Sequence, residues 1–149
     1  FLKNSFENNI YNIKINLYIK LMIINIKSNP SELKDLRVQI KKYLDENFKD
    51  LKVDEILLAI DEAVQNIIRH AYKMKADQPI DIEIQKTKNF SIKIRDYGKQ
   101  VELSSIAPRK LDEVRPGGLG VHFIRTICKN VKYEHAKDNK GGTILTLDF

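Results

Sequence analysis

The sequence predicts an α+β protein: a two-layer α/β sandwich in which a mixed, mostly antiparallel sheet is covered on one face by three helices. Three observations lead there. The chain reads strand, helix, helix, two strands, loop, helix, two strands. Its strands come mostly as hairpin-type neighbours, which pair antiparallel. Its helical stretches are amphipathic, and each needs a surface on which to bury its apolar stripe. A length of 149 residues suits one domain, and 42% hydrophobic residues supply a core.

Taken in order, residues 1–9 are expected to be loosely ordered, as chain ends often are. In the stretch 10–26, Tyr11, Ile13, Ile15, Leu17, Ile19, Leu21 and Ile23 share one face, and Asn12, Lys14, Asn16 and Lys20 the other. Period two predicts one long strand, whose exposed edge would suit a homodimer. The interrupting Asn and Lys residues argue against a signal or membrane segment. "SNPSEL" starts a helix, with Ser28 or Asn29 as cap and Pro30 in the first turn. Leu33, Leu36, Ile40, Tyr43, Leu44 and Phe48 form its stripe. A second helix runs from Val53 to about Tyr72, with Asp54 as the best cap candidate and Ile56, Ile60, Ala63, Val64, Ile67 and Ala71 inward. "PIDIEIQ" and "FSIKIRDYG" alternate as strands on either side of the short connection "KTKN". Residues 98–116 have no clean period and read as a loop with one helical turn. A third helix follows at 119–130, then strands at 131–136 and 142–149 joined by the turn-forming "KDNKGG".

The formal charge of +6 is spread along the chain without a dense Lys/Arg block. That argues against a nucleic-acid-binding face and suits an anionic small molecule or an acidic protein partner. A single cysteine, Cys128, permits no intrachain disulfide and fits a reducing, cytoplasmic setting. Within "FIRTICKNV" it reads as a small buried hydrophobe.

Four polar clusters carry the chemistry. In "DEAVQNIIRHAY", Glu62 and Asn66 stand four apart, side by side on a helix and opposite its apolar stripe. They form either a solvated polar face, or a carboxylate base beside an amide oxygen able to bind Mg²⁺ together with phosphate oxygens. Neighbouring His70 reads as a helix-end packing or hydrogen-bonding residue. In "RDYG", Asp96 shares the parity of Phe90, Ile92 and Ile94, so it points toward the apolar side. A carboxylate there needs a donor, either in a strand-ending turn or on a ligand that Gly98 lets approach. "RPGGLG" places Gly117, Gly118 and Gly120 where a helix begins. Bare amide groups and a helix N-terminus favour an anion such as phosphate, though the spacing matches neither familiar phosphate fingerprint. Arg109 and Arg115 precede it. Finally, "GGT" either forms a hairpin turn or brings the Thr143 hydroxyl inward.

Together and in this order, E-x-x-x-N, D-x-G, R-P-G-G-L-G and G-G-T resemble the GHKL (histidine-kinase-like) ATPase superfamily, most closely its small bacterial anti-sigma-factor serine/threonine kinases. The resemblance covers residues 20–149, leaving 1–19 as a partly ordered N-terminal extension. It implies the Bergerat ATP-binding fold with ATP and Mg²⁺ as cofactors. It also implies a kinase that phosphorylates an anti-sigma antagonist and sequesters a sigma factor, without direct contact to nucleic acid or membrane. By the same resemblance Glu62 is the general base, Asn66 the Mg²⁺ ligand, and Asp96 the acceptor for the adenine amino group with Gly98 beside the ring. Gly117, Gly118, Leu119 and Gly120 form the phosphate-binding lid and helix start. Arg115 approaches the terminal phosphate, and Thr143 contacts adenine. Many relatives read D-x-G-x-G, whereas Gln100 stands at the second glycine position here. The alternative is a non-catalytic regulatory module that senses ATP or ADP.

Overall fold

The computed structural model describes the backbone of residues 14–16, 19–106 and 119–149. They form a six-stranded sheet in the order β1-β2-β3-β4-β6-β5, with helices against one face. The strands are β1 (Lys14–Asn16), β2 (Ile19–Lys27), β3 (Pro79–Lys86), β4 (Phe90–Asp96), β5 (Asn130–His135) and β6 (Thr143–Asp148). The helices are α1 (Glu32–Asn47), α2 (Val53–Asn66) and α3 (Leu119–Ile127). Every pairing among the described strands is antiparallel, so the expected mixed character is absent from them. Among the described residues no helix is long and apolar enough to cross a membrane.

The alternating isoleucines explain the sheet. Ile80, Ile82 and Ile84 of β3 lie beside Ile92 and Ile94 of β4, all fully buried under the helices. Leu36, Ile40 and Leu44 of α1 and Ile56, Ile60 and Val64 of α2 close the core from above. Each such side chain contributes about 1.5–3 kcal/mol through removal from water. Tyr43, Phe48, Phe90 and Phe149 continue it as a chain of edge-on and tilted rings.

Four local expectations need correction. The stretch read as one long strand is a hairpin: Asn16 pairs with Ile19 and Lys14 with Leu21, so β1 and β2 run antiparallel. The outermost strand there is therefore the three-residue β1. Moreover, β2 buries Met22, Ile24 and Ile26, not the odd-numbered set, because these pair with Ile84, Ile82 and Ile80. Ser28 and Asn29 do not cap α1 with their side chains. Ser28 Oγ donates to the Lys75 carbonyl (2.6 Å) and accepts from the Gln78 N–H (3.0 Å), and Asn29 bonds Asp77 (2.9 Å). They fasten the turn that leads into β3. Likewise α2 begins at Val53 without a side-chain cap, and Asp54 lies within its first turn, where a negative charge suits the helix dipole.

The second helix also stops short of Tyr72. It ends at Asn66 and continues as one wide π turn, Ile67–Ala71, in which the Tyr72 N–H reaches the Ile67 carbonyl (2.9 Å). Such turns recur at functional positions. Here it lets buried Tyr72 donate its hydroxyl to the Pro79 carbonyl and accept from the Tyr97 N–H at 2.7 Å, tying the helix end to β3 and β4. The loop after β4 holds a single 3-10 turn, Leu103–Ile106, and residues 107–118 lie outside the described ones.

Candidate functional site

The second helix and its π turn form the spine of the site. Glu62 and Asn66 lie one turn apart, both half-buried, and neither side chain has a hydrogen-bond or ion-pair partner among the described residues. Farther along, Ala71 meets the turn after β4: a methyl group on Gly98 would lie 3.0 Å from the Ala71 carbonyl oxygen. Glu62 and Ala71 are nine residues apart, which at helical rise is about 13 Å. The spine thus carries a cluster at each end.

One end is built on Asp96. The last residue of β4 is inward-facing by strand parity, opposite Ile80, and only 6% exposed. Burial pushes its carboxyl above the ordinary aspartate range, and the backbone N–H groups of Gly98 (2.8 Å) and Thr143 partly offset this. Both donors come from backbone, so acceptor capacity remains on the carboxylate. Gly142, at φ +85°, packs so tightly that a Cβ would sit 1.8 Å from the Asp96 carbonyl oxygen. Only glycine satisfies both constraints. Gly141 and Gly142 make the β5–β6 turn, and Thr143, itself buried, opens β6.

At the other end Glu62 meets α3. Gly120 is the second residue of that helix, and a Cβ there would fall 1.7 Å from Glu62 Oε1. The carboxylate therefore lies directly against the first turn of α3, at the positive end of its dipole. Leu119 opens the helix. Gly117, Gly118, Arg115 and Arg109 fall outside the described residues.

Residues 26–149 match the histidine kinase-like ATPase domain family. The chain belongs to that family. Among curated proteins it is similar to Serine-protein kinase RsbW of Listeria innocua serovar 6a, with 28% identity over 89 aligned positions that cover 54% of this chain and 57% of that protein. The protein of the same name in Listeria monocytogenes serotype 4a is 30% identical over 90 positions, with the same shares. The chain spans just over half the length of the curated relatives it matches.

Within this histidine kinase-like domain the donor set suits a magnesium nucleotide. Asp96 offers a buried acceptor, and Asn66 an uncommitted amide oxygen. No group of three or more His, Cys, Asp or Glu side chains among the described residues forms a self-sufficient metal site. A Mg²⁺ ion at Asn66 would therefore depend on phosphate oxygens and water for its remaining ligands. His70 is exposed rather than packed, and Arg69 bonds Gln65 (2.7 Å). Cys128 is buried, its thiol pushed up to about 11 by burial and by nearby Asp148, so it is unreactive.

Sequence reasoning missed three residues around the site, Asp61, Tyr72 and Arg95, and the contacts of Gln100. Asp61, next to Glu62, is 6% exposed and paired with Arg37 of α1; burial raises its carboxyl and Arg37 opposes the shift. Among the described residues its buried Oδ1 has no hydrogen-bond partner. Tyr72 braces β3 and β4. Arg95 binds Asp138 through two hydrogen bonds, and Gln100 reaches the β5–β6 turn. Strand parity places Arg95 opposite Asp96, but nothing local in the sequence marks the partners.

Proposed function

We propose that residues 20–149 form an ATP-dependent serine/threonine protein kinase domain that acts as an anti-sigma factor, phosphorylating an anti-sigma antagonist and sequestering a sigma factor in the cytoplasm. The observation that carries this reading is the contact between Glu62 and Gly120. It sets a carboxylate without a partner among the described residues against a helix N-terminus fed by a glycine-rich run. The similarity to relatives named serine-protein kinase supports the kinase part of this reading.

In this reading Asp96 accepts the adenine amino group, with Gly98 and Thr143 beside it. Asn66 would hold Mg²⁺ through its amide oxygen, and the ion would supply neutralisation of phosphate charge. Glu62 takes the proton from the substrate hydroxyl at its Oε atoms. Arg115, Gly117, Gly118, Leu119 and Gly120 receive the phosphates. Phosphoryl transfer needs positioning and charge neutralisation more than covalent help, and these residues supply both. The second reading, an ATP/ADP-sensing module without catalysis, needs Asp96 but has no use for Glu62.

The test is transfer of labelled phosphate from Mg-ATP to a purified anti-sigma antagonist. Glu62→Gln should keep nucleotide affinity while losing about 10²–10⁴-fold in transfer, the usual contribution of a general base. Tight Mg-ATP binding with no transfer by the unaltered chain assigns the sensing module, and undiminished transfer in Glu62→Gln removes Glu62 as the base.

A further inference from the structure

The adenine end depends on a turn that the core does not hold. Between β5 and β6, residues 137–140 are exposed, yet Gly142 and Thr143 must lie on Asp96 with no slack. Two side chains of the segment that carries Asp96 fasten this turn. Arg95, immediately before it, projects to the opposite face of the sheet. Its Nη1 and Nη2 donate to the Asp138 carboxylate at 2.7 and 2.6 Å, and Nη2 also donates to the Gly141 carbonyl at 2.9 Å. The guanidinium lies 4.4 Å from the Tyr97 ring centroid, and the Tyr97 hydroxyl donates to Asp81, so the arginine is braced from below. Asp138 in turn accepts the Lys140 N–H at 3.0 Å.

Gln100 acts from the other side. Its Nε2 donates to the carbonyls of Ala136 (3.2 Å) and Gly142 (3.1 Å), the two residues that close the turn through their own backbone bond (3.0 Å). The next residue is held as well: His135 Nε2 donates to the Val101 carbonyl at 2.8 Å. Glycine, the residue common at position 100 in the D-x-G-x-G pattern, has no side chain with which to make these bonds.

We propose that Arg95 and Gln100 are positioning residues for the nucleotide base: by clamping the β5–β6 turn from both sides of Asp96 they preset the Thr143 N–H against its carboxylate and Gly142 against its backbone carbonyl, and thereby set the preference for adenine over guanine. The inference rests on the adenine reading of Asp96. Neither side chain touches the base in this scheme; both act through the turn. If the turn drifts, the Thr143 N–H leaves Asp96, the carboxylate turns, and the acceptor aimed at the amino group is lost.

Calorimetry of Mg-ATP and Mg-GTP binding to the full chain tests this, with Arg95→Ala, Arg95→Lys, Asp138→Asn and Gln100→Gly. A charge-assisted bidentate contact predicts that Arg95→Ala and Asp138→Asn each weaken ATP about tenfold while leaving GTP nearly unchanged. Because both remove one ion pair, the double variant should be no weaker than either single one. Arg95→Lys should recover part of the loss, and Gln100→Gly should cost about two- to fivefold, as expected for neutral, longer bonds. Amide exchange at Thr143 should quicken in step. Wild-type-like ATP and GTP affinities in Arg95→Ala and Asp138→Asn overturn the inference alone. So does an equal loss for both nucleotides that tracks a lowered melting temperature. Failure of the unaltered chain to bind ATP overturns the adenine reading, and this inference with it.

Discussion

A methyl group at Gly120 separates the stability of this domain from its chemistry. Built on the backbone, that methyl lies 1.7 Å from Glu62 Oε1, 2.0 Å from Cδ and 2.4 Å from Cγ. Ordinary carbon contacts begin near 3.5 Å, so the carboxylate must retreat by about 2 Å. It can do so, because these atoms are the free end of a flexible side chain. The fold therefore loses little, and alanine in a helix is favoured over glycine by up to about 1 kcal/mol. The melting temperature of Gly120→Ala should hold or rise slightly. With Glu62 as the proposed base, transfer should not hold: a displacement of about 1 Å in such a group costs on the order of 10²-fold, so the loss should reach at least that. Single-turnover transfer at saturating Mg-ATP, read beside thermal unfolding, decides the matter. Unchanged transfer together with a melting temperature several degrees lower would refute the reasoning. Gly142→Ala provides the contrast. There the methyl meets the Asp96 carbonyl oxygen at 1.8 Å, a backbone atom within the sheet, and φ of +85° adds about 1–2 kcal/mol of strain. That substitution should unfold the domain rather than disarm it.

Two further predictions concern Asp96. Asp96→Asn exchanges a charged acceptor for an amide, which should weaken ATP about 10- to 150-fold, the equivalent of about 1.5–3 kcal/mol, with GTP far less affected; equal ATP affinity before and after the change excludes the contact. Burial raises the Asp96 carboxyl, so the folded state holds its proton more firmly than the unfolded chain does. Stability of the ligand-free domain should then fall as pH rises from the ordinary aspartate range through the raised value, and stay down above it. Asp96→Asn should lack this slope in urea unfolding followed upward from the ordinary aspartate range, and curves of identical slope for both proteins would exclude it.

The parts of the fold that were legible are those whose signal is periodic. Ile80, Ile82, Ile84, Ile92 and Ile94 mark β3 and β4 to within a residue, and the α1 and α2 stripes mark the helices. The β1–β2 reversal escaped because "NLYI" carries no Gly, Pro or Asp turn signal and the apolar-polar alternation of the sequence runs on through it, although the pairing of Asn16 with Ile19 puts even positions of β1 on the same face as odd positions of β2. The π turn escaped because Ile67, Ile68 and Ala71 continue the apolar stripe that an α-helix would show. The site clusters were legible one by one as spacings. Their joints were not: the approach of Gly120 to Glu62, the Arg37–Asp61 pair and the hold of Arg95 on Asp138 each join distant segments. Contacts of that kind arise from topology, which no local window encodes.

One break in periodicity is more informative than the regular runs around it. Along β4 the buried positions read Phe90, Ile92, Ile94, then Asp96, while the opposing strand presents Ile80 at that point. An apolar residue at 96 would extend the core by one more pair, whereas a buried carboxylate costs free energy that two backbone N–H groups only partly offset. Two glycines are also committed to the same spot: Gly98 against Ala71, and Gly142, in a conformation few other residues accept, against the Asp96 carbonyl. A sheet built for stability alone has no reason to gather a charge and two glycines at the end of its central strand. Local rules broken together at one place, without a gain in packing, mark where the chain serves a ligand rather than its own fold.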